Sequence, residues 1–404
     1  MAQNSLRCKI QSLIVQKYGG SSVSTPDQIR KAARKIAELK TKGHQVIVVI
    51  SAMGKTTDQL SQLAYSVSPT PVRRELDMLL STGERVASAL MSMALNDVGV
   101  EAISFTGSQA GILTDDSHTN AQIVDLKPIR VEDEISKGKT VVIAGFQGVS
   151  PRTKEITTLG RGGTDLSAVA LAHHFGADQC EILKEVDGVF SADPLIVSQA
   201  KHIPKLDFSL LKEMPFWGAK MLHYRAAELA ARKNVRLRIG LASGDGKGTV
   251  VSGEESMLEE KKVLSVNSHN KIVKLTIEAK SQGEAYKLLE SHLTQTKLPW
   301  PQILDSTLSE SGCRVLLTAP SETLQAFFNL GKSVPQFHFE SSELSSVTAT
   351  CCGLVGTDLI SVLTTGLETS GVKAQHVLLS PLSVTYIVRT EDREKTIASL
   401  HRFV

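Results

Sequence analysis

The feature that most limits the possible folds is a set of short, uninterrupted apolar runs. Residues 46–50 read VIVVI, five β-branched side chains in a row. A strand with one face in water alternates apolar and polar residues, so a run like this belongs to a strand covered on both faces. VVIA at 141–144 and EIL at 181–183 have the same character, and Leu13–Val15 is a shorter apolar run. Helical patterns separate them. Thr25-Pro26 opens a helix with threonine as N-cap and proline in the first turn. Ile29, Ala32, Ala33, Ile36 and Leu39 then recur at helical spacing until Gly43. A second helix begins near an N-cap-like Thr164-Asp165 and carries LSAVALAHHF. Strand–helix alternation of this kind predicts an α/β fold, with a mostly parallel sheet sandwiched by helices.

At 404 residues the chain is too long for one ordinary core. Its composition shifts near residue 244, where SGDGKGTVVSGEESMLEEKK is rich in glycine, serine and charge. Beyond it the patterns shorten. KIVKLTIEA (271–279), a helix over 281–293 and CRVLLTA (313–319) form one round; VTATCCGLV, TDLISVLTTGLETSG, AQHVLLSPLSVTYIV and EDREKTIASLHRF form another. The expected organisation is therefore a first domain over 1–250, a linker over 251–262, and a pair of small α+β modules over 263–404.

Several classes of function are set aside by composition. Aromatic residues make up 4% of the chain, too few for a base-stacking platform. A formal charge of +3 gives no electrostatic reason to expect a nucleic-acid or membrane partner. The five cysteines form no C-x-x-C pair and read as reduced thiols of a cytoplasmic protein. No run approaches the roughly 18 apolar residues of a membrane helix, and the N-terminal residues lack a signal-peptide core. His173-His174 has no further ligand at useful spacing, so no metal site is expected there.

The chemistry lies in the glycine-flanked turns. In KYGGSS, Lys17 stands at the end of an apolar run, followed by Gly19, Gly20 and Ser21. Ligands of parallel sheets bind beyond the carboxyl ends of the strands, glycines let backbone N–H groups approach a phosphate, and a lysine adds a compact charge. An ordinary turn with a solvated lysine is the alternative at this point. MGKTT resembles the tail of a P-loop, but position 49 is valine where that motif needs glycine. STGER places Glu84 at the start of an apolar helix. TTLGRGGTD surrounds Arg161, whose planar fork suits a carboxylate, with three glycines. GAKMLH places a second lysine, Lys220, at the start of a helix. Two lysines and an arginine on three such turns are what phosphate transfer to a carboxylic acid requires. Trp217, in PFWGAK, is read either as packing or as a border of the nucleotide.

Taken together, KYGGSSV, SAMGKTTDQL, DMLLSTGER, SFTGSQAG, VIAGFQGV, TTLGRGGTD, VDGVFSADP and GAKMLH resemble, in order and spacing, the aspartate kinases of the amino-acid kinase family. The likeness covers roughly residues 13–251. The remainder resembles, more weakly, the paired ACT modules that follow such kinases. The resemblance implies phosphorylation of the L-aspartate side chain by ATP, giving 4-phospho-L-aspartate, the first step toward lysine, threonine, methionine and diaminopimelate. It implies ATP with Mg²⁺ held mainly through the phosphates. It also implies Lys17, Asp165 and Lys220 as catalytic groups, with Asp165 orienting the lysines. Gly19, Gly20, Ser21, Lys184 and Asp187 would join Lys17 and Lys220 around the nucleotide; Ser51, Thr57, Glu84 and Arg161 would hold aspartate, with Glu84 receiving its ammonium. A carboxylate nucleophile is already ionised at neutral pH, so no general base is needed.

The sequence departs from the family pattern at Lys184-Glu185, Leu195 and Tyr224, all toward the nucleotide. In the modules, AKSQGEAY lacks the usual proline and LLSPLSVTYIV replaces an effector stretch. These departures predict association into a homo-oligomer, a dimer or tetramer, through the ACT-like modules, with weakened or altered feedback. Met257 is a candidate internal start for a separate regulatory subunit. Alternatives are a catalytically weakened amino-acid sensor and another kinase of the family, such as an acetylglutamate-type enzyme.

Overall fold

The computed structural model describes residues 12–253, 262–296, 301–309, 312–319, 321–340 and 343–404; Met257 lies outside them. The chain divides into two compact units. One takes residues up to 189, 203–212 and 220–256; the other takes 190–202, 213–219 and the chain from 257 onward.

The first unit is built on an eight-stranded sheet. Six strands run parallel in the spatial order Leu237–Leu241, Gln179–Lys184, Leu13–Tyr18, Gln45–Ile50, Thr140–Ala144, Ala102–Phe105. Every residue of Gln45–Ile50 is buried, as the unbroken apolar run at 46–50 requires. On one face Ile29, Ala33 and Ile36 of the helix Pro26–Thr41 and Met91 and Leu95 of the helix Thr82–Asp97 pack against Tyr18, Val46, Val48 and Val142. The first of these helices has the expected start. Thr25 Oγ1 accepts from Gln28 N–H while Gln28 Oε1 accepts from Thr25 N–H, closing a capping box. The helix Gly163–His174 covers the other face, and its first ten residues are all buried. That explains why LSAVALA shows no polar stripe. A four-stranded sheet, ordered Ile123–Leu126, Ile112–Thr114, Gln147–Val149, Ile156–Thr158, stands beyond the strand ends. The sequence reading did not separate it, because its strands are only three or four residues long.

In the second unit the strand expected at 271–279 starts earlier and spans Lys262–Ile277. Its first half pairs antiparallel with Leu344–Cys352, its second half with Gly312–Thr318 and Phe337–Phe339. A register shift between His269 and Ile272 marks the change of partner. One strand therefore serves two small α+β modules, each with its own core. Leu275, Leu289, Val315 and Phe327 fill the first; Val266, Val347, Leu363 and Tyr386 fill the second. Residues 190–202 belong to this unit. Ala192, Ile196 and Val197 join the second core, and Ser191 Oγ lies 2.8 Å from His401 Nε2. Trp217 is buried here, its Nε1 donating to Glu213 (3.0 Å), which also accepts from the hydroxyls of Ser380 and Ser383. Of the two readings of Trp217, these contacts are those of packing.

Two glycines of the first unit separate backbone strain from close approach. Gly138 has φ +82° and nothing within 4 Å of an added Cβ; Gly111 has φ +71° and the Lys127 carbonyl oxygen 2.0 Å away. Gly138→Ala is expected to cost about 1 kcal/mol, the left-handed penalty alone, and Gly111→Ala at least twice that. Urea unfolding of the two variants checks this; equal losses would mean that the approach to Lys127 does not select glycine.

Candidate functional site

The chain leaves the strand Leu13–Tyr18 toward one side of the sheet and returns on its other side as Gln179–Lys184, so a crevice opens between the carboxyl ends of these two strands. Lys17 sits there, in register with Val49 and Ile182. Two loops are fastened around it. Gly19 N–H donates to the Leu183 carbonyl (3.3 Å), and Gly54 N–H donates to the Gly20 carbonyl (2.9 Å). A Cβ on Gly20 would lie 2.6 Å from the Ala52 carbonyl oxygen, and one on Gly19 would lie 3.6 Å from Lys17 Nζ. Glycine here leaves the backbone bare beside an ammonium, the arrangement of an anion cradle.

Lys17 Nζ is 2.7 Å from Asp165 Oδ1, and both side chains are more than 90% buried. Asp165 Oδ2 accepts from His223 N–H at 3.3 Å. Burial works against ionisation of Asp165, but the positive charges of Lys17 and Lys184 and these hydrogen bonds outweigh it, holding its carboxyl below the usual range. Burial also lowers the pKa of Lys184, against the pull of Asp165. Lys184 Nζ donates to the Lys220 carbonyl (2.7 Å), drawing the two lysine-bearing segments together. Two expectations about local structure are corrected. Thr164 and Asp165 lie inside the first turn of their helix, whose N-cap is Gly162 at φ +71°, because the Asp165 carboxylate is turned to Lys17. Lys220 lies in a loop, not at a helix start. The helix begins at Tyr224, with His223 as its N-cap.

Glu185 reaches the cradle itself. Ser22 Oγ donates to its Oε1 at 2.7 Å; partial desolvation works to raise the pKa of this exposed residue, but the hydrogen bonds from Ser21 and Ser22 and the charge of Lys184 outweigh it and lower the pKa. Asp187 is tied to a neighbouring turn. Its two oxygens accept from Lys247 N–H (2.9 Å) and Gly248 N–H (2.8 Å), holding the turn at 244–248.

On the other side of the cradle, Glu84 is buried. Its Oε1 accepts from Ala52 N–H (3.0 Å), while Oε2 is buried with no hydrogen-bond partner. Burial pushes its carboxyl up to about 7. Ser51 N–H donates to the Tyr18 carbonyl (3.1 Å), and Thr57 is half-buried in the first turn of the helix Thr56–Val67. Arg161 is exposed between Gly160 (φ +73°) and Gly162 (φ +71°). A Cβ on Gly162 would lie 2.1 Å from that of His223, whose N–H meets Asp165. The carboxyl-end crevice thus gathers Lys17, Gly19, Gly20, Ser21, Asp165 and Lys184. Lys220 is tied to it through its carbonyl, Ser51 and Glu84 through the adjoining loop, and Arg161 through Gly162. Among the described residues no three His, Cys, Asp or Glu side chains converge as metal ligands.

Three contributors escaped the sequence reading. His223, whose pKa burial depresses to about 4, stood in GAKMLH only as part of a motif. Arg225 reaches the loop before Arg161. Asp77, fully buried, accepts from Thr158 Oγ1 (2.5 Å) and Thr119 N–H (3.1 Å) and lies 2.6 Å from His118 Nδ1. A lone acid in the apolar run DMLL was the available signal for Asp77.

Comparison with known proteins agrees with this geometry. Residues 12–240 match the family model described as the amino acid kinase family. A curated aspartokinase of Corynebacterium efficiens is 37% identical over 402 residues, covering 96% of this chain and 95% of its own. Aspartokinase 2 of Bacillus subtilis is 37% identical over 397 residues, covering 96% and 97%. The fold matches E. coli aspartokinase III, crystallised with aspartate and ADP, at TM-score 0.78 and 20% identity over 97% of this chain and 99% of that one. This chain belongs to the amino acid kinase family and, within it, to the aspartokinases.

Proposed function

We propose that this protein transfers the γ-phosphoryl group of ATP to the side-chain carboxylate of L-aspartate, giving 4-phospho-L-aspartate and ADP. The observation that carries this reading is the buried Lys17–Asp165 pair at the mouth of the bare-backbone cradle, with Lys184 beside it. Both reactants are anions, and the principal barrier is their mutual repulsion. Positioned cations and N–H groups lower it without a proton transfer. Asp165 holds Lys17 in place at 2.7 Å. Lys17, the Gly19–Ser21 backbone, Lys184 and Lys220 receive the phosphates. Mg²⁺ bound mainly through the phosphate oxygens would neutralise further charge. Asp187 stabilises the neighbouring turn.

Glu84, Ser51, Thr57 and Arg161 receive aspartate. A buried carboxyl with one unpartnered oxygen fits an incoming ammonium, and Arg161 forks onto a carboxylate. The paired modules join copies of the chain through strand edges and carry weakened effector sites.

Three expectations follow from these roles. With ATP, aspartate and hydroxylamine the protein should form aspartyl hydroxamate, and Lys17→Met should lower the rate by at least about 10²-fold. Lys17→Met strands a buried carboxylate at a cost of about 3–5 kcal/mol. Lys17→Met/Asp165→Leu should recover stability but not activity; recovery of both would remove the pair from the chemistry.

Glu84 has a raised folded pKa, so the stability it contributes is present below its ordinary 4.5 and is lost as pH rises to about 7, on the order of 3 kcal/mol. Aspartate supplies the missing positive charge. The KM for aspartate should therefore rise nearly tenfold per unit as pH falls below 7, while Glu84→Gln binds weakly with a flat profile. A wild-type KM constant from pH 5.5 to 8 removes Glu84 from ammonium recognition.

Calorimetry with lysine and with threonine should show no micromolar binding; a micromolar dissociation constant for either contradicts the weakened-site reading.

A further inference from the structure

We infer that Arg225 is a positioning residue that sets the Arg161 loop for the carboxylate substrate, an inference that rests on the function proposed above. Arg161 is exposed on a short loop, and such a loop should wander unless both flanks are pinned. Both are. On one flank, the left-handed Gly160 lies so close to the 119–120 backbone that a Cβ would be 3.0 Å from the Thr119 carbonyl oxygen and 3.1 Å from Asn120 Oδ1. On the other flank, the left-handed Gly162 abuts His223.

Arg225 ties these walls together. Its half-buried guanidinium donates through Nη1 to the Leu159 carbonyl (2.6 Å) and Asn120 Oδ1 (3.1 Å), and through Nη2 to the Ala121 carbonyl (2.9 Å). Its backbone N–H donates to His223 Nδ1 (3.4 Å). One side chain thus grips the residue before Gly160 and the wall behind Gly160, while its own helix carries the wall behind Gly162. Burial lowers the pKa of Arg225 without a carboxylate in its grasp, so its fork is used on the backbone. A lysine has one nitrogen and cannot reach three acceptors in a plane. Asp77 supports the same wall from behind, through Thr119 N–H and His118.

A loop loosened at both flanks loses orientation of Arg161 toward the substrate carboxylate, while the Lys17–Asp165 pair is untouched. The effect should fall on aspartate and spare ATP. Arg225→Lys and Arg225→Ala are compared with wild type and with Ile36→Ala, a core variant of the helix Pro26–Thr41 that serves as a destabilised control. In Arg225→Lys, KM for aspartate should rise about tenfold and KM for ATP change less than twofold. Millimolar guanidinium should lower the aspartate KM of Arg225→Ala, and tryptic cleavage after Arg161 should be faster in both variants. In Ile36→Ala the two KM values should keep their wild-type ratio. An aspartate KM unchanged in both Arg225 variants, or both KM values rising together as stability falls, overturns the inference. If the wild type itself forms no aspartyl hydroxamate, the functional reading fails instead. The cleavage rate at Arg161 still decides the loop claim, which is overturned if that rate equals wild type.

Discussion

Burying Lys17 against Asp165 is the constraint on which the first unit depends. An ammonium and a carboxylate taken out of water are each costly, and their contact offsets that cost only when both are held in place. The sheet supplies one fixed point, since Lys17 is clamped by strands on both sides. The buried helix Gly163–His174 supplies the other. The pair sits at the crevice where the chain crosses to the other side of the sheet, so the same packing that buries the charges also exposes the mouth of the site to a ligand. Lys184 and the His223 N–H complete the set and keep Asp165 ionised despite its burial.

The neighbouring carboxyl, Glu84, shows the opposite balance. It receives backbone N–H groups, that of Ala52 among them, but no ion pair among the described residues, so burial dominates and raises its pKa to about 7. Two buried acids a short loop apart therefore differ in charge because of what faces them. One serves the protein's own lysines; the other is left short of a positive partner. Holding two anions together calls for both arrangements, and under the function proposed above an amino-acid ammonium would supply the cation that Glu84 lacks.

Much of this was legible in the sequence. VIVVI reads as a doubly covered strand, Thr25-Pro26 as a helix start, and the glycines after Lys17 as either an anion cradle or an ordinary turn. The local signals failed where a residue's partner lies far along the chain. Thr164-Asp165 looks like a helix cap, yet the carboxylate turns to Lys17, some 150 residues earlier. Asp187 holds a turn near residue 248, a partnership that no window around it reveals. Arg225 reads as an ordinary charge at the start of a helix until its three acceptors are known.

Periodicity and turn chemistry are local, and from them the sequence by itself determined the parallel α/β class, the helix starts and the glycine-flanked turns that bear the lysines and arginine. Tertiary structure alone decided which of those turns converge, because convergence depends on strand order and on the side of the sheet to which each crossover returns. It alone assigned residues 190–202 to the second unit, where Ala192 and Ile196 complete a core begun by Val263 and Val347. It alone showed that a single strand, Lys262–Ile277, pairs with both modules. Strand pairing and burial are set by partners distant in the chain, and no window of neighbouring residues contains them.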